Sequence, residues 1–197
     1  MGANDPFVTS ALNYVNINLS QTLGGRAGTD LTLASSQTVN ASAGILDIEG
    51  NRVFDTTSVN LNNASILTIN GAASDYVVVN VTDNNPAFNG QILLSGGITS
   101  DHVLFNMFGG NYTTHTGGPT LTISLNGQTT RGIFLDPNGG MQMNNGTLLG
   151  RFFGGDVQNQ QIVSGANITA PVPEPGSVCL AALGLVALGL RRKLRAS

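Results

Sequence analysis

Turns constrain this chain more than any other feature. From Leu31 onward it cannot run far before a corner stops it: Asn70-Gly71, Asn89-Gly90, Gly96-Gly97, Asn126-Gly127, Asp136-Pro137 and Asn145-Gly146 punctuate the body. Asn and Gly accept the backbone angles that tight turns need, and Pro cannot extend a central strand. Between the corners lie short runs of β-type composition: Leu31–Leu33, Ala43–Ile48, Arg52–Phe54, Ile66–Ile69, Tyr76–Val81, Gln91–Leu94, Val103–Met107, Leu121–Leu125, Gly132–Leu135, Thr147–Phe153 and Gln161–Val163. Short strands joined by Gly and Asn corners suit a β-sandwich or a β-solenoid. No strict repeat is visible, which tells against a regular solenoid.

Two runs carry orientation. Tyr76–Val81 is almost continuously apolar, as in a strand buried on both faces. Leu121-Thr122-Ile123-Ser124-Leu125 alternates, so Leu121, Ile123 and Leu125 should face a core. Stacked Asn and Thr side chains at inward corners would fit a parallel coil, where ladders satisfy buried polar groups. Upstream, Phe7, Leu12, Val15, Leu19 and Leu23 recur at helical spacing and Gly24-Gly25 supplies a stop, so one helix is expected near the N-terminus.

The last residues have a different character. Pro173-Glu174-Pro175 breaks the chain, and an apolar run of thirteen residues follows, Val178 to Leu190, with Val178, Leu180, Leu183, Leu185, Val186, Leu188 and Leu190 as its bulk. Arg191, Arg192, Lys193 and Arg195 close the sequence and make up half of its eight basic residues. A helix of that run reaches about 20 Å, short of a bilayer's roughly 30 Å hydrocarbon core, so it suits a temporary anchor. Its basic end resists translocation, which places the C-terminus in the cytoplasm and the body outside. A buried C-terminal helix is the alternative on length alone, but the terminal charges argue against it.

In its order of parts, Val172 to Ser197 resembles the PEP-CTERM sorting signal of Gram-negative, exopolysaccharide-producing bacteria. The resemblance implies that Pro173, Glu174 and Pro175 are the processing motif for a membrane protease-transpeptidase, exosortase. It also implies transient residence in the inner membrane and delivery to the cell surface or extracellular matrix. Such proteins enter the export route through an N-terminal signal. Met1 to Ser20 lacks a basic n-region and its apolar residues are interrupted, so a truncated or misassigned start is expected.

The body carries a second resemblance. The succession Arg52-Val53-Phe54-Asp55, Leu61 to Asn70, Asp75 to Val81, His102 to Asn106, Leu121 to Ser124, Arg131 to Asn138 and Asn145 to Gly150 is similar to the choice-of-anchor A surface domains, over about Arg52 to Ile168. Family members usually have Ala-Pro where this chain has Asp136-Pro137. The resemblance implies a β-helical, extracellular, non-catalytic module. The expected organisation is then mainly β: a helical segment over 1–30, a β-solenoid or β-helix-like domain over 31–169, a linker over 170–177, and a hydrophobic transmembrane helix with its basic tail over 178–197.

Chemistry is sparse. Charged residues are 10% of the chain, far below the usual quarter, and the body is acidic, which tells against nucleic-acid partners. The single Cys179 lies in the apolar tail, so the chain can form no internal disulfide and no cysteine metal site. His102 and His115 have no partner ligands at metal spacing, and no metal or cofactor is expected. Asp75 and Asp83-Asn84-Asn85 could hold calcium, although such residues more often bond their own turns. Asp101 and Asp136 are the named candidates for a glycosidase-type pair in a secreted polysaccharide hydrolase. No nucleophile elbow is present, and no catalytic residue is assigned. The main expectation is a structural or adhesive surface module, able to engage exopolysaccharide. An ice- or polysaccharide-surface-binding solenoid is the alternative, for which Thr113-Thr114, Thr120, Thr122 and Thr129-Thr130 offer threonine without one rung-to-rung interval.

Overall fold

A computed structural model describes residues 17–154 and 159–170. The strands coil around one core, each pairing in parallel with its counterpart one turn later. Among the described residues the one antiparallel strand pairing is that of Ile45–Leu46 with Asn51–Thr56. The first face is an eight-stranded sheet, ordered Thr29–Asp30, Asn51–Thr56, Tyr76–Val81, Val103–Met107, Thr129–Asp136, Gly146–Gly154 and Ala166–Thr169, with Ile45–Leu46 beside it. The second face holds Asn60–Leu61, Ala87–Phe88, Leu121–Ser124, Met141–Asn144 and Gln160–Ile162, and the third holds Gln37–Asn40, Ile66–Asn70 and Gln91–Ser95. The chain visits the faces in rotation, which is a β-solenoid.

The solenoid is irregular, which is why its repeat does not show in the sequence. Thr29, Phe54, Val79, Phe105, Phe134 and Phe152 occupy one inward row, at intervals of 25, 25, 26, 29 and 18 residues. The long interval contains a loop over residues 108–119. The short interval arises because the third face loses its separate strands. Thr129–Asp136 begins against the third face, where Thr130 Oγ1 accepts the Ile92 N–H at 3.0 Å, and finishes on the first.

The core is apolar and layered. Phe88, Phe105 and Phe134 are fully buried and touch with ring centroids 5.0 to 5.3 Å apart, one pair stacked and two edge-on. Such pairs contribute about 0.5–1.5 kcal/mol beyond their buried area. Leu121, Ile123 and Leu125 face this core as their alternation predicts. Asn126-Gly127 forms the turn expected of it: both residues have positive φ, 50° and 83°, and the Gln128 N–H closes on the Leu125 carbonyl.

Residues 17–24 are helical and lie on the outer side of the first face, so residues 77–81 are buried on both sides as their composition predicts, while Tyr76 at the start of the strand is exposed. The start of the expected helix, Phe7 to Asn16, lies outside the described residues. The stacked polar ladder exists, but under this helix rather than at inward corners. Asp55, Asn80 and Asn106 share one register row. Asn106 Nδ2 donates to Asn80 Oδ1, and Asn80 Nδ2 to Asp55 Oδ1. The same amides donate outward to the helix carbonyls, Asn80 to Leu23 and Asn106 to Ser20. The ladder stops at Asn106 because the next rung is Leu135.

Other boundaries depart from the sequence reading. Strand begins at Thr29–Asp30 rather than Leu31, and Leu33 makes only an isolated bridge with Val59. Ala43–Ile48 is split between a short 3-10 turn and Ile45–Leu46. Asn60–Leu61 and Ala87–Phe88 are too short for any periodicity to reveal. Met141–Asn144 alternates and was legible between its Gly139-Gly140 and Asn145-Gly146 corners.

Candidate functional site

The helix covers part of the first face, leaving Arg151 and Phe153 exposed toward its end, and the second and third faces meet solvent. On the second, Asn60, Ala87, Thr122, Gln142 and Gln161 stand outward in one register row across successive coils. Ser124 and Asn144 pair in the next row. None of these side chains is charged. A cleft of about 230 Å³ opens here, lined by Thr120, Gly140, Met141, Gln142, Asn159 and Gln161. A β-carbon on Gly140 would meet the Asn159 carbonyl oxygen at 3.7 Å and Thr120 Cγ2 at 4.0 Å, both ordinary contacts.

The third face is also ordered. Thr38, Thr68 and Leu93 align, as do Asn40, Asn70 and Ser95. Asn70 Nδ2 donates to Asn40 Oδ1 and Ser95 Oγ donates to Asn70 Oδ1, both at 3.0 Å. Further along the stack Thr129, Thr147 and Asn167 form another row. Rung-to-rung threonine pairs therefore exist, Thr38 with Thr68 and Thr129 with Thr147, and of the threonines that the sequence suggested only Thr129 takes part in one. Thr113 and Thr114 lie in the 108–119 loop and Thr130 points into the core.

The hydrolase candidates do not converge. Asp136 is buried at the end of its strand, and the Leu104 to Ile133 register puts Asp101 level with Thr130. Six residues of strand separate those levels, about 20 Å, well beyond the 5–9.5 Å that carboxylate pairs in glycosidases span. Asp101 instead stands 3.7 Å from Arg151. His102 stacks on Tyr76, with ring centroids 4.1 Å apart, beside a second cleft of about 230 Å³ that Leu19, Leu23 and Ile133 also line. His115 sits in the 108–119 loop with φ 56°. The calcium candidates are held by backbone N–H groups: Asp83 accepts that of Asn85 in its own turn and that of Val59 one coil earlier, and Asp75 accepts that of Ala72.

The strongest ion pairing lies elsewhere. Arg26 bonds Asp47 and reaches Glu49 at 2.9 Å. Burial opposes ionisation of Asp47, but the side chain and N–H of Asn51, the Arg26 guanidinium and the Glu49 N–H outweigh it and hold its pKa at about 2. These contacts fix a hairpin whose tip shows Ile48 almost fully exposed.

Pro173, Glu174 and Pro175, the apolar residues Val178 to Leu190 and the basic cluster Arg191 to Arg195 lie outside the described residues. Among the described residues no helix is long and apolar enough to cross a membrane.

The architecture and its open faces define a class: an irregular parallel β-solenoid, sealed by a helix on one side and presenting uncharged polar rows on the others. The chain belongs to the ice-binding-like adhesive domain family, which matches residues 3–164. The match covers the stretch that resembles choice-of-anchor A domains and shows an ice-binding-like adhesive domain there, not specifically a choice-of-anchor A one. Residues 171–193 match the PEP-CTERM protein-sorting motif. That motif implies export, membrane-associated sorting and processing by an exosortase. No curated protein matches the chain. Among solved structures it is similar to the ice-binding protein LeIBP from an Arctic yeast, at TM-score 0.61 and 17% identity, over 88% of this chain and 68% of that one. It is also similar to an ice-binding protein from an Antarctic bacterium of the Flavobacteriaceae, at TM-score 0.56 and 15% identity, over 85% of this chain and 36% of that one. At these identities the likeness is one of fold.

Proposed function

We propose that this protein is a non-catalytic surface adhesin whose second face holds a neutral, hydroxyl-rich polymer of the extracellular matrix. The observation that carries the reading is the register row Asn60, Ala87, Thr122, Gln142 and Gln161 beside its cleft. Rungs repeat at about 4.8 Å, so amide and hydroxyl groups recur along the stack at a fixed interval. Each hydrogen bond to a polymer hydroxyl contributes only about 1 kcal/mol net, so affinity comes from many such contacts at once. An uncharged face suits a neutral partner, because no buried charge is left unpaired on contact.

Delivery follows from the tail. Val178 to Leu190 holds the exported chain in the inner membrane, Arg191, Arg192, Lys193 and Arg195 stay in the cytoplasm, and exosortase acts at Pro173-Glu174-Pro175. Intact mass after expression in an exosortase-bearing host tests this step. Loss of the residues beyond about Pro175, abolished by Glu174→Ala, is the expected result, and a mature chain still ending at Ser197 overturns it.

Binding is tested by co-sedimentation of the full chain with insoluble neutral polysaccharide. Gln142→Glu, in the middle of the second face, should lower the bound fraction at least tenfold, while Thr68→Glu on the third face should not. A second reading, adsorption to ice, is favoured by the threonine pairs of the third face together with the two ice-binding relatives in fold. Thermal hysteresis that Thr68→Glu removes and Gln142→Glu leaves intact would establish that reading instead.

A further inference from the structure

The 108–119 loop touches both ends of the helix-side architecture. Tyr112 OH lies 3.0 Å from Ser20 Oγ, and the Phe108 ring fills the space where Gly24 has no side chain. At its far end, the Gly118 N–H donates to the Asn138 carbonyl at 3.1 Å, and Asn138 Nδ2 donates to the Gly109 carbonyl at 2.8 Å. Beneath this seam lies the Asp136 carboxyl, shut off from solvent. Its Oδ1 accepts the Gly139 N–H at 2.8 Å, while Oδ2 has no donor.

A second oxygen faces that orphan. A β-carbon on Gly139 would fall 1.6 Å from the Pro119 carbonyl oxygen and 2.6 Å from Asp136 Oδ2, so the two oxygens are no farther apart than those lengths laid end to end. Two buried acceptors so placed repel unless something positive lies between them. Calcium takes about six to eight oxygens, and besides this pair the turn offers one further unpaired oxygen, Asn138 Oδ1. A proton needs only the two.

We infer that Asp136 is a neutral carboxylic acid in the folded protein, its Oδ2–H donating to the Pro119 carbonyl, and that this bond is a proton-operated latch holding the 108–119 loop, and through it the helix, against the solenoid. Burial pushes the Asp136 pKa up to about 7, against the pull of the Gly139 and Asn138 N–H groups. Of the titratable groups of the loop, Tyr112 is the one that feels the Asp136 charge, and the neighbouring strand sets the uncharged Gly154 beside Asp136. When the proton leaves, carboxylate and carbonyl oxygens face each other bare, and the seam opens. The folded pKa lies above the unfolded one, so the stabilisation is complete below about pH 4 and is lost as pH rises through about 7.

The test uses the full chain in detergent micelles. The Asp136 carboxyl ¹³C resonance should titrate near pH 7. The melting temperature should fall by at least about 5 °C between pH 5 and pH 8.5. D136N, whose amide can donate the same bond at any pH, should hold its melting temperature level and keep amide exchange slow at Gly118 and through residues 17–24 at pH 8.5. A carboxyl already ionised at pH 5, or an equal pH dependence in D136N, overturns the latch. So does a shift of the resonance or the melting temperature on adding EDTA at fixed pH, which would put a bound cation in the gap. If D136N does not fold, the wild-type titration decides alone.

Discussion

Asp47 shows how much one side chain can organise in a protein with so little charge. It accepts the N–H groups of Glu49 and Asn51, the Asn51 amide and the Arg26 guanidinium, tying residue 26 to the hairpin after it. Its folded pKa, about 2, lies below the unfolded value, so its stabilisation is present above about pH 4 and is lost as pH falls through 2. The unfolding free energy of the wild type should therefore drop between pH 4 and pH 2. Asp47→Ala, weaker at neutral pH, should lack that part of the drop, as acid titration followed by circular dichroism would register. Such pairings were beyond sequence reasoning, because Arg26 and Asp47 stand twenty-one residues apart and only the coil brings them together. Turn residues were different. Asn126 and Gly127 announce their own backbone angles, since few other residues tolerate positive φ.

Among the elements, the helix depends most on partners far along the chain. Residues 17–24 form barely two turns, too few to persist alone in water. Their hold is the Asp55, Asn80 and Asn106 ladder, reinforced by Leu23 in contact below and Phe108 against Gly24. Asn80→Ala removes the donor to the Leu23 carbonyl and the acceptor of one Asn106 Nδ2–H, leaving those two groups unpaired while Asn106 keeps its bond to the Ser20 carbonyl. A loss of about 2–4 kcal/mol is expected from two orphaned buried groups, read by thermal melting. Hydrogen exchange should quicken selectively in residues 17–24. An unchanged melting temperature would mean that apolar contact alone docks the helix. Helical spacing made the helix legible, and continuous apolar character marked the strand as covered on both sides, which holds for all of it but Tyr76. The ladder itself was not legible, since Asp55, Asn80 and Asn106 look like turn-forming polar residues until the coil aligns them.

At the level of the whole molecule, the decisive property is a stack whose coils vary from 18 to 29 residues. The inward row mixes Thr, Val and Phe without a pattern, and one face gives up its separate strands midway, so no period survives in the sequence. Solenoid stability is close to a sum over coils and their interfaces. The last coils bury least: Gln160–Ile162 is exposed throughout and Ala166–Thr169 only half covered. Native-state exchange should therefore open from this end first, with protection rising toward Phe105 and Phe134. Uniform protection from Thr29 to Thr169 would contradict a stack that frays by coils.

The helix also sets an order of events during export. Ser20 must wait for Asn106, eighty-six residues later, and for Tyr112 six residues beyond that. In a chain threading outward from its N-terminus, the helix waits for the strands that carry Asp55, Asn80 and Asn106, so the seam beneath it is complete only once four coils have emerged. Folding is then gated by translocation: the lid arrives before the vessel it closes, and more than half of the body must cross before the two can meet.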